Sequence, residues 1–292
     1  MDFLFTQIVS GLAAGSIYAC LALAVVMIYQ AIHHLNFAQG EMAMFSTYIA
    51  WQLMAWGMPY WAAFVLTVGL SFAGGWALER TVLKPLHRAP VLTHIIVFIA
   101  LFSIFNSLAG FLWDFTIKPF PTPFGEGPLV EGLRISRHQA GMIVVTLLLL
   151  VLLWGFFRFT RLGLSMRAAA ANPESARLVG IRVNAMTALG WGMASGIGAV
   201  AGMMIAPLVF LEPNMMLSIL IYAFAGAVLG GLASPGGAVA GGLLVGVIET
   251  LAGAYIPVVG SELKLPIALF LIVSVLLVRP AGLFGRRTVQ RL

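Results

Sequence analysis

Long apolar runs separated by short polar breaks dominate the chain. Windows of about twenty residues, the length that crosses a bilayer as a helix, fall near Phe3–Tyr29, Phe37–Trp56, Trp61–Ala77, Val91–Trp113, Ala140–Phe157, Asn184–Pro207, Met215–Ala233, Gly237–Ile256 and Leu265–Val278. The runs are continuously apolar and do not alternate, which disfavours a membrane β-barrel. The pattern therefore predicts an all-α polytopic membrane protein: about 8–9 transmembrane helices in a single transmembrane domain over residues 1–292. The last run is short for a hydrocarbon layer about 30 Å thick.

Composition agrees. The chain is 61% hydrophobic and 9% charged, with mean hydropathy +1.02, whereas a soluble domain carries roughly a quarter of its residues as charges. The single cysteine, Cys20, allows no internal disulfide and reads as a small buried hydrophobe. "MDFLFTQ" has no basic stretch ahead of the first apolar run, so that run is expected to stay in the membrane as a span.

Charge sets the expected orientation. Arg80, Lys84, His87 and Arg88 follow the third run, Arg158, Arg161, Arg167, Arg177 and Arg182 the fifth, and Arg279, Arg286, Arg287 and Arg291 form the tail. The loop 114–139 balances Lys118, Arg134 and Arg137 against Asp114, Glu126 and Glu131, and the segments near Glu212 and Glu262–Lys264 show no basic excess. Basic loops stay on the cytoplasmic side, so the N-terminus is expected outside, the C-terminus inside and 114–139 extracytoplasmic. The net charge of +6 thus belongs to membrane topology, and no nucleic-acid partner is expected.

"HHLNFAQGEM" (His33–Met42) breaks the pattern, because no Lys or Arg occurs between Met1 and Glu79. One reading is a plain cytoplasmic turn. The other is a discontinuous helix in which Asn36 caps the half running into Phe37–Trp56 and the break lines a cavity. On that reading Asn36 and Gln39 suit substrate contact and Glu41 suits a gate or helix brace. Glu249 lies about 18 Å into its span, where a carboxylate needs a cavity or partner; it reads as path lining, as a brace, or as an outer interfacial residue. Asn106 and Ser103 suit interhelical hydrogen bonds, His94 the membrane interface, and Glu79, beside Arg80, an ordinary cytoplasmic cap. GxxxG pairs at Gly11/Gly15, Gly192/Gly196, Gly198/Gly202, Gly226/Gly230, Gly237/Gly241 and Gly242/Gly246 predict close helix packing. "GGLASPGG" (Gly230–Gly237) lacks the Lys-Ser/Thr of a phosphate loop and reads as a tight turn.

The polar segment 158–183 holds a helix with both ends written into the sequence. Asn172 suits the N-cap, Pro173 the first position and Glu174 the first turn; Arg177 lies near the end, and Gly180 suits the left-handed position beyond it. Leu178, Val179 and Ile181 leave an apolar patch at its exit. Such a helix either lies on the lipid surface through its arginines or docks a cytoplasmic partner.

"RAAAANPESARLVGI" resembles the cytoplasmic coupling segment of ABC importer permeases of the branched-chain (hydrophobic) amino-acid type. "HLNFAQGE" is similar to that family's N-F-A-x-G-E stretch, and "ERTVLKPLHRAP" and "GGLASPGGAVAGGLLVGVIET" to further segments in the same order. The resemblance implies a permease subunit in the cytoplasmic (inner) membrane of a bacterium or archaeon. It further implies a second homologous permease subunit, two cytoplasmic ABC ATPase subunits and an extracytoplasmic substrate-binding protein. Arg167, Asn172, Pro173, Glu174, Arg177, Leu178 and Gly180 would form the ATPase-coupling segment. The chain has no Walker A run, so ATP and Mg are expected on the partner subunits, with no cofactor and no enzyme activity in this chain. Its histidines are scattered, which disfavours a metal site. The substrate implied is a branched-chain or other hydrophobic amino acid, with small amides and urea as neighbours. The competing classes are an ion-driven secondary transporter using Glu41 and Glu249, and a channel or structural membrane subunit.

Overall fold

The computed structural model describes residues 2–32, 34–87, 89–129, 135–257 and 263–285. His33, Arg88, Glu131, Arg134, Glu262 and the tail residues Arg286, Arg287 and Arg291 lie outside the described residues. Eleven α-helices occur among the described residues. They are α1 (Asp2–Ile32), α2 (Gln39–Ala55), α3 (Tyr60–Leu78), α4 (Val91–Trp113), α5 (Arg137–Phe159), α6 (Arg161–Ala171), α7 (Pro173–Leu178), α8 (Val183–Val209), α9 (Leu217–Gly230), α10 (Pro235–Tyr255) and α11 (Lys264–Val278). A π turn (Glu79–Leu83) and a 3₁₀ turn (Lys84–Leu86) extend α3. The nine apolar runs coincide with α1–α5 and α8–α11, so the all-α polytopic reading stands. By length and composition, α1, α3 with its extension, α4, α5, α8 and α10 can each cross a membrane, while α9 and α11 are shorter apolar helices.

Burial separates the centre from the rim. In the most apolar window of α1, 89% of residues are buried, and 78% in α8, against 22% in each of α3, α4 and α5. α1 and α8 therefore form the core. The outer helices turn apolar side chains such as Val65, Leu70, Leu148 and Leu152 outward, as lipid-facing helices do.

Glycine brings the central backbones together. A Cβ on Gly15 of α1 would lie 2.8 Å from the Leu243 carbonyl oxygen of α10, and one on Gly226 of α9 would lie 2.6 Å from the Gly242 Cα. Gly246 meets the backbone of Gly15 from the other side, and Gly241 that of Gly226. These pairs are true packing positions. Gly196 is not, because its nearest neighbour would be 3.7 Å away. The turn between α9 and α10 is tight, as expected, with Gly231 at φ +104 and Ser234 capping α10 by accepting from the Gly237 N–H at 3.1 Å.

The contacts sort the connections into two ends. Gln30 reaches the Ala233 carbonyl, Arg177 and Asn184 border the 3₁₀ turn, and Leu283 bonds Leu229. At the opposite end Phe3 meets Tyr255, Lys118 pairs with Leu211, and Tyr60 meets Phe120. The described basic segments after α3 and α5 thus share one end, and the loop after α4 lies at the other.

Candidate functional site

Between α1 and α2 the chain leaves helical geometry, and its polar groups are enclosed by protein. Asn36 and Gln39 are fully buried and Glu41 is 1% exposed, so this is not a solvated turn. The Asn36 side chain accepts from the Ala38 N–H at 3.0 Å, and its carbonyl takes the Gln39 N–H at 3.3 Å. Asn36 therefore organises the start of α2 from two residues before the N-cap position, which Ala38 occupies. Gln39 Nε2 donates to the Ala194 carbonyl of α8 at 2.9 Å. Gly198 makes room for it, since a Cβ there would sit 2.8 Å from that nitrogen. Among the described residues Gln39 Oε1 has no hydrogen-bond partner.

A second break enters from the opposite end. The chain between α8 and α9 carries Pro213 and Asn214 inward to Asn106, which lies fifteen residues along α4. Asn106 Nδ2 donates to the Pro213 carbonyl at 3.0 Å, with Asn214 Oδ1 at 3.2 Å and Glu41 Oε2 at 3.3 Å. One amide thus joins the start of α2 to the segment before α9. Asn106 makes the interhelical bonds expected of it, whereas Ser103 is exposed. The dipping loop at Glu212–Asn214 was visible in the sequence only as a polar interruption between apolar runs.

Glu249 is not part of this cluster. It is 8% exposed, accepts from the Tyr18 hydroxyl at 2.7 Å and lies 3.8 Å from Lys264 Nζ. Tyr18 in turn stacks on Tyr222 at 4.9 Å. Glu249 therefore links α1, α10 and α11, with α9 packed behind.

Two further polar residues near helix ends are enclosed by protein. Glu79 caps α3 as expected but is fully buried, with Oε1 3.2 Å from His87 Nε2. His94 is buried, edge-on to His34 at 4.8 Å.

The segment after α5 folds as its local signals dictate. Thr160 alone separates α5 from α6 and caps α6 by accepting from the Gly163 N–H at 3.0 Å. Asn172 ends α6 and caps α7, accepting from the Ser175 N–H at 3.0 Å, with Pro173 at the first position. At the other end Gly180 has φ +84, its N–H bonds the Arg177 carbonyl, and the Ile181 N–H bonds the Ala176 carbonyl, each at 3.0 Å. These two bonds are the Schellman pair. Ala176 is the buried anchor, while Arg167, Asn172, Pro173, Glu174, Arg177, Leu178 and Gly180 are exposed, Leu178 at 89%. Beneath the segment a cavity of about 70 Å³, bordered by Met27, Arg167, Pro173 and Thr187, separates it from α1 and α8.

A many-spanning helical bundle, two turns that dip into it and meet at a buried polar cluster, and a doubly capped helix standing off one end fit a membrane permease. The family described as "Branched-chain amino acid transport system / permease component" matches residues 7–278, and the chain belongs to it. It is 30% identical to the high-affinity branched-chain amino acid transport system permease protein LivH of Escherichia coli, over 99% of this chain and 98% of that protein. It is 34% identical to BraD of Pseudomonas aeruginosa, over 98% and 97%. To a probable LivH of Methanocaldococcus jannaschii it is 26% identical, over 93% and 89%. A solved structure, PsaBC from Streptococcus pneumoniae in complex with Fab, aligns with TM-score 0.45 and 14% identity over 94% of this chain and 88% of that one.

Proposed function

We propose that this chain is a permease subunit of an ATP-driven ABC importer for branched-chain or related hydrophobic amino acids. It works with two cytoplasmic ATPase subunits, a second homologous permease and an extracytoplasmic binding protein. ATP and Mg act on the ATPases and not in this chain. The basic end is cytoplasmic, by the positive-inside rule, with the N-terminus outside. The observation that carries the reading is α7. It is a six-residue helix fixed at both ends, exposed at all of its residues except Ala176, at the basic end of the bundle. Isolated helices of that length do not persist in water, so its two caps suit it to bearing a load. Arg167, Asn172, Pro173, Glu174, Arg177, Leu178 and Gly180 form the docking segment. Asn36, Gln39, Glu41 and Asn106 form a gate on the translocation path, while Glu249 acts as a brace.

The test is uptake of radiolabelled leucine into proteoliposomes containing the full set of subunits and the binding protein. Uptake should require ATP on the side of α7 and stop when residues 172–180 are scrambled. Uptake by this chain alone, driven by a proton gradient, would establish the secondary-transporter reading instead.

A further inference from the structure

The basic end of the bundle holds a site separate from the gate. Two clefts adjoin there. One, about 510 Å³, is bordered by Arg80, Arg177, Arg182 and Asn184. The other, about 520 Å³, is bordered by Lys84, His87, Arg177 and Asn184. Arg177 and Asn184 border both, so the clefts form one basin, fed by the π turn, the 3₁₀ turn, α7 and the start of α8.

Among the described residues that border the basin there are cations and no carboxylate. None of Arg80, Lys84, Arg177 and Arg182 is in an ion pair among the described residues. The neighbouring carboxylate, Glu79, feels the charges of Lys84 and Arg80 but is turned inward and buried, with His87 against it at 3.2 Å. Burial first, and then the electrostatic influence of His94, Lys84 and Arg177, push His87 below the usual imidazole range. Gathered like charges repel and persist best where an anion joins them.

Position selects the anion. The Arg80 guanidinium lies 4.1 Å from the centroid of the Trp76 ring, at the last turn of α3, whose outer face is apolar and exposed. Tryptophan and arginine at the end of a lipid-facing helix mark headgroup depth, and planar guanidinium groups bind phosphate oxygens in pairs. We infer that this basin binds the phosphate headgroup of an anionic phospholipid, held by Arg80, Lys84, Arg177 and Arg182 between the α3–α4 connection and the coupling segment. The site requires only the membrane-spanning fold, and it stands or falls independently of ATP-driven transport.

The experiment uses the full chain, delipidated in detergent. Phosphatidylglycerol, phosphatidylcholine or inorganic phosphate is added, and retained lipid is counted by native mass spectrometry alongside the unfolding temperature. Phosphatidylglycerol should be retained and raise the unfolding temperature, and phosphatidylcholine should do neither. Each basic residue near a headgroup contributes about fivefold to binding, so Arg80→Gln with Arg182→Gln should weaken retention about thirtyfold. Arg161→Gln, an exposed arginine of α6 outside the basin, should retain lipid as the parent does. Should the double variant fold poorly, Lys84→Gln alone should weaken retention about fivefold. Equal retention by parent and variants overturns the site. Equal stabilisation by inorganic phosphate assigns the basin to a soluble anion and overturns the lipid assignment. Variants that keep phosphatidylglycerol here, yet lose the ATPase subunits when the whole transporter is purified, make it a protein contact and overturn it too.

Discussion

If α7 carries a mechanical load, removing its caps should cost transport before it costs the fold. Asn172→Ala deletes the side chain that accepts from the Ser175 N–H at 3.0 Å, which costs about 1 kcal/mol. Gly180→Ala places a side chain at φ +84, a left-handed position that costs about another 1 kcal/mol. The two caps act on opposite ends, so the double variant should lose about 2 kcal/mol, roughly thirtyfold in the local opening equilibrium. Hydrogen exchange at Val179, Gly180 and Ile181 should accelerate by that factor, since their N–H groups close the last turn. The bundle should melt as before, because Ala176 is the only buried residue of α7. In proteoliposomes the ATPases should hydrolyse ATP at their basal rate while leucine moved per ATP falls several-fold, and Asn172→Asp should restore it. Accelerated exchange with unchanged transport per ATP would refute the load-bearing role.

Three further outcomes follow from named contacts. Asn106→Leu leaves Glu41 and the Pro213 carbonyl without their donor, at about 1–3 kcal/mol per buried group; the unfolding temperature in detergent should drop clearly, and an unchanged value would mean that the amide does not join the two breaks. Gly246→Val drives a side chain into the Gly15 backbone, an overpacking that costs about 1–3 kcal/mol or more, whereas Gly236→Ala meets open space and should be neutral; size-exclusion profiles and melting would show both. His87 is held below the usual imidazole range by burial first, so its neutral form favours the docked 79–87 segment. That contribution is full above pH ~6.5 and is lost as acid protonates the undocked segment more readily than the docked one. Hydrogen exchange across 79–87 should therefore quicken on acidification after correction for intrinsic rates, and His87→Gln should flatten the pH dependence.

What the sequence disclosed depended on how far each cause lay along the chain. All the signals for α7, from Asn172 to Ile181, sit within one short stretch, and the helix formed with those caps. The GxxxG spacing marked which residues permit close approach, but their partners come from other helices: Gly15 meets α10 more than two hundred positions away, and Gly196 meets no close backbone. Asn106 was legible as a hydrogen-bonding residue in an apolar run, and its partner Asn214, 108 positions on, was not. Glu79 was legible as a cap of α3, but its full burial was not, since Arg80 beside it suggests a solvated end. Glu249 was legible as a carboxylate in need of a partner, and that partner, the Tyr18 hydroxyl 231 positions away, was not.

The arrangement of α8 gives the proposed mechanism a physical route. α8 starts at Val183, joined to α7 by a short connection through Gly180 and Arg182, so displacement of α7 is passed to α8 with little slack. Eleven residues further, about 17 Å up the helix, the Ala194 carbonyl holds Gln39 at 2.9 Å. Gly198 and Gly202 press that same face onto Ala43 and Thr47 of α2, leaving no soft side chain to absorb a shift. Closely packed helices adjust by small slides as rigid bodies. A slide of about 2 Å, even perpendicular to the bond, takes a 2.9 Å contact past the ~3.5 Å at which hydrogen bonding ends. Gln39, whose Oε1 is already unpartnered, would then be released at the broken start of α2. Motor docking and gate would thus share one helix, and the length of α8 between them determines which residue is released.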